Sequence, residues 1–330
     1  MVFRGSDQFI MMDSLTFAVV NIPVSIISII MNIFLVFCMF FPRQRTERLK
    51  QPLNVLLGTL VGCNITLQAC IFLYTFMESK LLLPSDMGSS VITEMILFTM
   101  RTSVTSSLWL NVFYYCQIVP AQWSVFIYLK RNIRFFIYSA LIADKIFFMF
   151  GFSEGIALTA VQVELYDLYE YDLNMTYTIQ RDEAHTKMDK LYFIFQVDMW
   201  LRFSYLLLCL FVMLTSSCAT ILYLRKHMKS MERSSSAFSS PRLQRQMRVT
   251  ITGISQTFLY FLCLAWILVR ELLVFVFSQS LDFNGHICCS VVCLYSFGST
   301  INLCVGQTIF RQQIVEVWQK LLKTATLLSK

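Results

Sequence analysis

The chain is predicted to be all-α: a bundle of seven transmembrane helices, N-terminus outside, with a short amphipathic helix after the last span. Three observations carry this prediction. Of 330 residues, 56% are hydrophobic and only 14% are charged, where soluble domains carry about 25% charged residues; the mean hydropathy is +0.61. Seven long apolar stretches recur between polar segments, and the basic residues collect on every second connection. Residues 1–310 are expected to form the membrane domain, and 311–330 a cytoplasmic amphipathic helix and tail.

The apolar stretches are 15–41, 53–77, 91–119, 135–152, 191–224, 249–277 and 287–310. A helix needs about 20 apolar residues to cross a hydrocarbon core of about 30 Å, and each stretch has that length or nearly so. Lipid offers backbone N–H and C=O groups no partner outside their own segment, so these runs are expected to be helices. The fourth is the weakest, because Asp144 and Lys145 stand in its middle. These two neighbours point to different faces, and each needs its own partner.

Orientation follows from the basic residues, which stay on the cytoplasmic side. Arg43, Arg45, Arg48 and Lys50 follow the first span; Lys130, Arg131 and Arg134 follow the third. Seven more lie between the fifth and sixth, from Arg225 to Arg248, and Arg311, Lys320, Lys323 and Lys330 follow the seventh. These are eighteen of the 27 Lys and Arg residues; the alternate side has five. The N-terminus is therefore expected outside and the C-terminus inside. The net charge of +7 reflects these inner segments, and no nucleic-acid partner is needed to explain it. The first span is too long for a signal-peptide core and is followed by basic residues, so it reads as an anchor.

The outer segment 153–190 is acidic, from Glu154 and Glu164 to Asp189, and reads as a solvated loop or, alternatively, a cation site. It contains the sequon Asn174-Met175-Thr176, on the side that the charge rule independently places outside. The inner segment between the fifth and sixth spans contains a Ser-rich linker, 233–241, flanked by basic helical extensions. After the seventh span, Ile314, Trp318, Leu321 and Leu322 share one helical face, as expected of a helix lying on the inner interface. All eleven cysteines fall within or at the edge of spans and read as small apolar residues. Cys288 and Cys289, near an outer end, are the pair with any prospect of disulfide bonding.

Ionisable groups inside a span cost at least a few kcal/mol and mark functional candidates. Asp198 and Arg202 are four apart with the acid first, the favourable order for a helical pair, and can satisfy each other. Glu94 and Arg101 lie seven apart on roughly one face; Arg101 has no local partner in the sequence. With Arg270, these groups lie in outer or middle thirds, which describes a polar cavity opening outward. The three histidines are scattered, so no metal site is expected. No Gly-rich phosphate loop or nucleophile–base arrangement is visible, so neither an enzyme nor a cofactor is expected. No inverted repeat supports a transporter, which stays a runner-up class.

The motifs resemble the type 2 (bitter) taste receptors, a heptahelical G-protein-coupled family. Lys226-His227-Met228-Lys229-Ser230-Met231 is similar to that family's K-H-x-K-x-M. Leu110-Asn111-Val112-Phe113-Tyr114-Tyr115 resembles its L-S-V-F-Y-F, and Leu129-Lys130-Arg131 its L-K-R. The sequon at Asn174, followed by Tyr177, stands where the family carries its outer glycan, and Asn32 and Tyr295 also fit. Departures are Val61-Gly62-Cys63-Asn64 where an Arg is usual, Gln117 for a Lys, Cys209 for a Pro, and Ser299-Thr300 for His-Ser. Vomeronasal type 1 pheromone receptors are the alternative; they share the outer glycan, and Pro120 leans their way.

The resemblance implies a plasma-membrane receptor, glycosylated at Asn174, that takes small-molecule agonists in the outer half of the bundle. It also implies coupling to a gustducin-like or inhibitory heterotrimeric G protein. Its ligand positions correspond here to Ile96, Met100, Arg101, Asp198, Arg202, Trp266, Arg270, Cys289 and Val292. Its G-protein-facing positions correspond to Tyr114, Tyr115, Lys130, Lys226, His227, Lys229 and Arg248. With Arg101 and Arg202 in the pocket, anionic or strongly hydrogen-bonding agonists are expected.

Overall fold

The computed structural model describes residues 12–41, 52–78, 86–120, 124–170, 175–233, 241–277, 282 and 285–328. The regular elements among them are all helices: α1 (Ser14–Phe40), α2 (Leu53–Glu78), α3 (Asp86–Ile118), α4 (Ser124–Arg131), α5 (Ile133–Glu170), α6 (Met175–Arg233), α7 (Pro241–Phe277), α8 (His286–Gly306) and α9 (Thr308–Leu328). The first six predicted spans each lie on one helix in chain order; the seventh, 287–310, covers α8 but runs past the break at Gln307 into α9, and α4 is a short helix that the apolar pattern does not signal.

Seven of these helices close a ring. Each packs on the next, from α1 through α2, α3, α5, α6 and α7 to α8, and α8 returns to α1. Helix α3 is the hub and touches α2, α4, α5, α6 and α7. Large apolar side chains such as Ile30, Phe37, Phe150, Phe193, Leu201, Phe211 and Phe258 point away from the bundle. This outward apolar surface suits a helical membrane protein, whose surroundings are hydrocarbon.

Among the described residues six helices are both long and apolar enough to cross a membrane: α1, α2, α5, α6, α7 and α8. The weak one is therefore not α5, as Asp144 and Lys145 led us to expect, but α3. The reason is that α3 packs against α2, α4, α5, α6 and α7. Thr99, Thr102, Ser103, Thr105, Ser106 and Ser107 are buried against other helices rather than lipid. Most of their hydroxyls find partners within the helix, as Thr99 does on the Met95 carbonyl at 2.7 Å and Ser106 on that of Thr102 at 2.8 Å, while Ser103 donates to Asn64 of α2 at 3.4 Å. A hub helix can be polar because protein, not hydrocarbon, surrounds it.

The expectation of a solvated outer loop over 153–190 is corrected. Helix α5 continues to Glu170 and α6 begins at Met175, so the described residues of 153–190 are helical. Helical propensity is compatible with this: 156–170 holds no Pro or Gly and carries the good helix formers Ala157, Leu158, Ala160, Glu164, Leu165 and Leu168. Asn174 lies outside the described residues. The basic extensions expected at the inner ends are helical, with α6 running to Arg233 and α7 opening on Pro241, a residue favoured at the first helical position.

Polar pegs lock the ring. Asn32 of α1 donates to the Thr300 hydroxyl of α8 at 2.8 Å, and Asn64 of α2 reaches the same oxygen at 3.4 Å. Gln68 of α2 donates to the Cys293 carbonyl at 3.0 Å. Gln256 of α7 contacts Ser107 and Tyr295, each at 3.3 Å. Asp282 caps α8 through the Cys288 amide at 2.7 Å. None of the eleven cysteines forms a disulfide, Cys288 and Cys289 included.

Candidate functional site

The ionisable side chains of α3, α5 and α6 converge. Asp198 and Arg202 form the predicted salt bridge one turn apart on α6, at 6% and 3% exposure. Their neighbours come from other helices. Glu94 of α3 is attracted by both Arg101 and Arg202. Arg101 is thus not left without a local partner, which corrects the sequence reading. Two turns of helix bring Glu94 and Arg101 to the same face, and packing then presses them together.

The sequence reading missed the α5 side of this cluster. Gly151 and Gly155, one turn apart, remove two side chains from the α5 surface. A Cβ on Gly151 would overlap the Arg202 guanidinium, and one on Gly155 would overlap the Glu94 carboxyl. Glycine is therefore what admits both charged groups against the helix. Glu154, between them, is only 8% exposed and lies beside Asp198 and Arg202. It was assigned to the solvated acidic loop; α5 instead carries it inside the bundle. Its carboxyl lies within hydrogen-bonding reach of the Asp198 carboxyl. The one available signal was the pair of glycines at helical spacing around an acid.

Next to this cluster α3, α6 and α7 line a partly open cavity of about 90 Å³. Met100 and Arg101 line it from α3, Arg202 and Phe203 from α6, and Ile267 and Leu268 from α7. Three of the predicted ligand residues, Met100, Arg101 and Arg202, thus meet here. Asp198 stands behind Arg202. Ile96, Cys289 and Val292 instead belong to the buried apolar core; on α8 the two latter positions face the interior packing and not the cavity. Trp266 is half-buried, off the cavity wall, with its indole N–H unpaired. The side chain of Arg270 is outside the described residues. At about 30 Å³ per water, the cavity holds only a few waters as it stands.

The predicted inner-face residues divide. Tyr114 and Lys130 line an open cleft of about 790 Å³, together with Gln117, Arg131, Arg134 and Gln246. The Tyr114 hydroxyl accepts from the Gln307 amide at 2.8 Å, which ties α3 to the end of α8. Tyr115 points the other way, into a different cavity between α3 and α6. Lys226, His227 and Lys229 are exposed on α6, and Arg248 is half-buried on α7. Among the described residues no cluster of His, Cys, Asp and Glu can hold a metal ion.

A closed ring of helices with an apolar outer surface, a pocket on one side of its hub and a cleft bearing Lys130, Arg131 and Arg134 on another fits the class of helical membrane proteins. The family follows from the sequence as a whole. A profile described as Taste receptor protein (TAS2R) matches residues 10–322, and the chain belongs to that family. It is a G-protein-coupled bitter taste receptor and not an enzyme. No curated protein matches it.

Proposed function

We propose that this receptor binds small agonists in the cavity between α3, α6 and α7 and passes the signal to a G protein through the inner cleft. The carrying observation is the meeting of Arg101 and Arg202 in an otherwise apolar cavity. Both guanidiniums already have carboxylates beside them. The preferred agonist is therefore a largely apolar molecule that accepts one or two hydrogen bonds, and a full negative charge adds little. An agonist larger than a few waters must widen the cavity by moving α6 or α7 side chains such as Phe203. That movement is the switch, since a ligand shifts an equilibrium only by its differential affinity for the two states.

In this reading α3 is the seventh transmembrane helix, the N-terminus is outside and the C-terminus inside. Residues 1–310 are the receptor domain, and α9 lies along the cytoplasmic surface. Asn174 carries the glycan. The basic cleft around Tyr114 and Lys130, with Lys226, His227, Lys229 and Arg248, meets a gustducin-like or inhibitory G protein at the plasma membrane. The motifs at those positions and the inward bias of basic residues support this. A calcium assay with a chimeric G protein and a panel of bitter compounds tests it. Agonist-dependent responses that Arg202→Met and Phe203→Ala weaken are expected. Agonists that respond identically in both variants at normal surface levels would place the ligand elsewhere.

A further inference from the structure

The open cleft of about 790 Å³ beside Tyr114 carries a concentrated positive charge. Lys130 and Arg131 at the end of α4 and Arg134 in the first turn of α5 line one wall. All three are exposed, and none forms a salt bridge with a described residue. Gln117 of α3, Asn132 between α4 and α5, and Gln246 of α7 add neutral amide donors. Among the described residues that line the cleft none is acidic. Three cations on one short stretch repel one another, and an anion between them turns that repulsion into attraction.

The rim of this cleft is aromatic. Phe135 lines the cleft and is 70% exposed. Its ring centre lies 6.2 Å from that of Phe136, which lies 5.9 Å from that of Tyr128, itself exposed. The cations and this aromatic strip meet at Phe135. An exposed apolar strip adds nothing to the binding of a free anion in water. It does match an anionic head joined to apolar chains, and aromatic side chains are enriched where hydrocarbon meets headgroups.

We propose that this cleft binds the headgroup of a polyphosphorylated inositol phospholipid, its phosphates among Lys130, Arg131 and Arg134 and its acyl chains along Phe135, Phe136 and Tyr128. Clustered basic residues at the cytoplasmic surface attract anionic lipid. Three positive charges match a headgroup with several negative ones, whereas phosphatidylserine, with one net charge, leaves two of them unmatched. The proposal rests on the orientation proposed above, which puts this end of the bundle at the inner leaflet. A headgroup that reaches from Arg134 to Gln117 and Gln246 joins the ends of α5, α3 and α7, so its binding sets the width of the cleft that the G protein meets.

The test uses the full chain in phosphatidylcholine nanodiscs containing a trace of photoreactive phosphatidylinositol bisphosphate, with adducts mapped by mass spectrometry. Both faces of a nanodisc carry the same lipid, so the result does not depend on orientation, which a C-terminal tag in cells reports separately. Adducts are expected within 113–118, 127–136 and 246–249. Excess unlabelled phosphatidylinositol bisphosphate should remove them, and phosphatidylserine at the same total charge should not. The double variant Arg131→Gln with Arg134→Gln should reduce labelling about tenfold, a few-fold for each basic residue at an anionic surface. Lys187→Gln with Lys190→Gln, exposed elsewhere on α6, should leave it unchanged. Gln117→Glu, at an exposed position of α3, brings an acid into the cleft and should also reduce labelling; it decides the matter if the double variant fails to fold. Four results would overturn the proposal: adducts spread around the bundle without competition, phosphatidylserine competing as well at equal charge, soluble inositol trisphosphate competing as well as the lipid, or Gln117→Glu labelled as strongly as the parent.

Discussion

Replacing Arg202 by Met is the sharpest test of how the charge cluster holds α3, α5 and α6 together. Arg202 is 3% exposed, salt-bridged to Asp198, attractive to Glu94 and beside Glu154. Removing it takes the cation away from all three carboxyls, of which Glu94 keeps Arg101. Breaking a buried pair by deleting one partner costs about 3–5 kcal/mol, and an uncompensated charge at the centre of a membrane helix costs at least about 2.5–3.5 kcal/mol on insertion scales. The two routes converge on about 3 kcal/mol, roughly a hundredfold in the folded-to-unfolded ratio. The double variant Arg202→Met with Asp198→Leu removes both charges, and apolar replacement of a whole pair is often close to neutral. It should therefore recover most of the loss. Thermal unfolding of the purified variants, with surface expression beside it, reads both quantities. If the single variant melts like the parent, or the double variant is as damaged as the single one, the ion pair does not carry the packing of α6 on α3 and α5.

Other consequences can be measured separately. Arg101→Ala should weaken agonist potency by about 1–3 kcal/mol, the scale of a charge-assisted hydrogen bond, with surface expression preserved; retention inside the cell would mean that Arg101 serves folding instead. Thr300→Val removes the oxygen shared by Asn32 and Asn64 and should cost about 1–2 kcal/mol in a melting experiment, whereas Ser204→Ala, exposed on α6, should not. Asn174→Gln should abolish a glycosidase-sensitive mobility shift, and a C-terminal tag should stain only after permeabilisation; a tag stained on intact cells reverses the orientation.

The two departures from the family pattern at Asn64 and Thr300 show how far a sequence comparison reaches. In the chain they are two unrelated mismatches, 236 positions apart. In the bundle they meet at one hydroxyl, with Asn32 completing the group. Neither position is anomalous once its partner is known. Glu154 teaches the converse: it stands at the start of the acidic segment 153–190 and so read as a loop residue, while its neighbours in space are Asp198 and Arg202.

What the sequence determined by itself was set by the solvent. Lipid forbids unpaired backbone and disfavours charge, so hydrophobic length and the placement of Lys and Arg predict helices, their order and an orientation without reference to any contact. The same constraint marked Asp198, Arg202 and Glu94 as noteworthy, because ionised groups are rare there, and their spacing along one helix predicted the Asp198–Arg202 pair. Tertiary packing decided the rest. Helix α3 could be rich in Ser and Thr because it is surrounded by protein. Gly151 and Gly155 mattered because of side chains arriving from two other helices. Met100 and Arg202 came to share a cavity while Cys289 and Val292 did not, because helix rotation about its own axis, fixed by packing alone, decides which residues of a uniformly apolar stretch face the pocket.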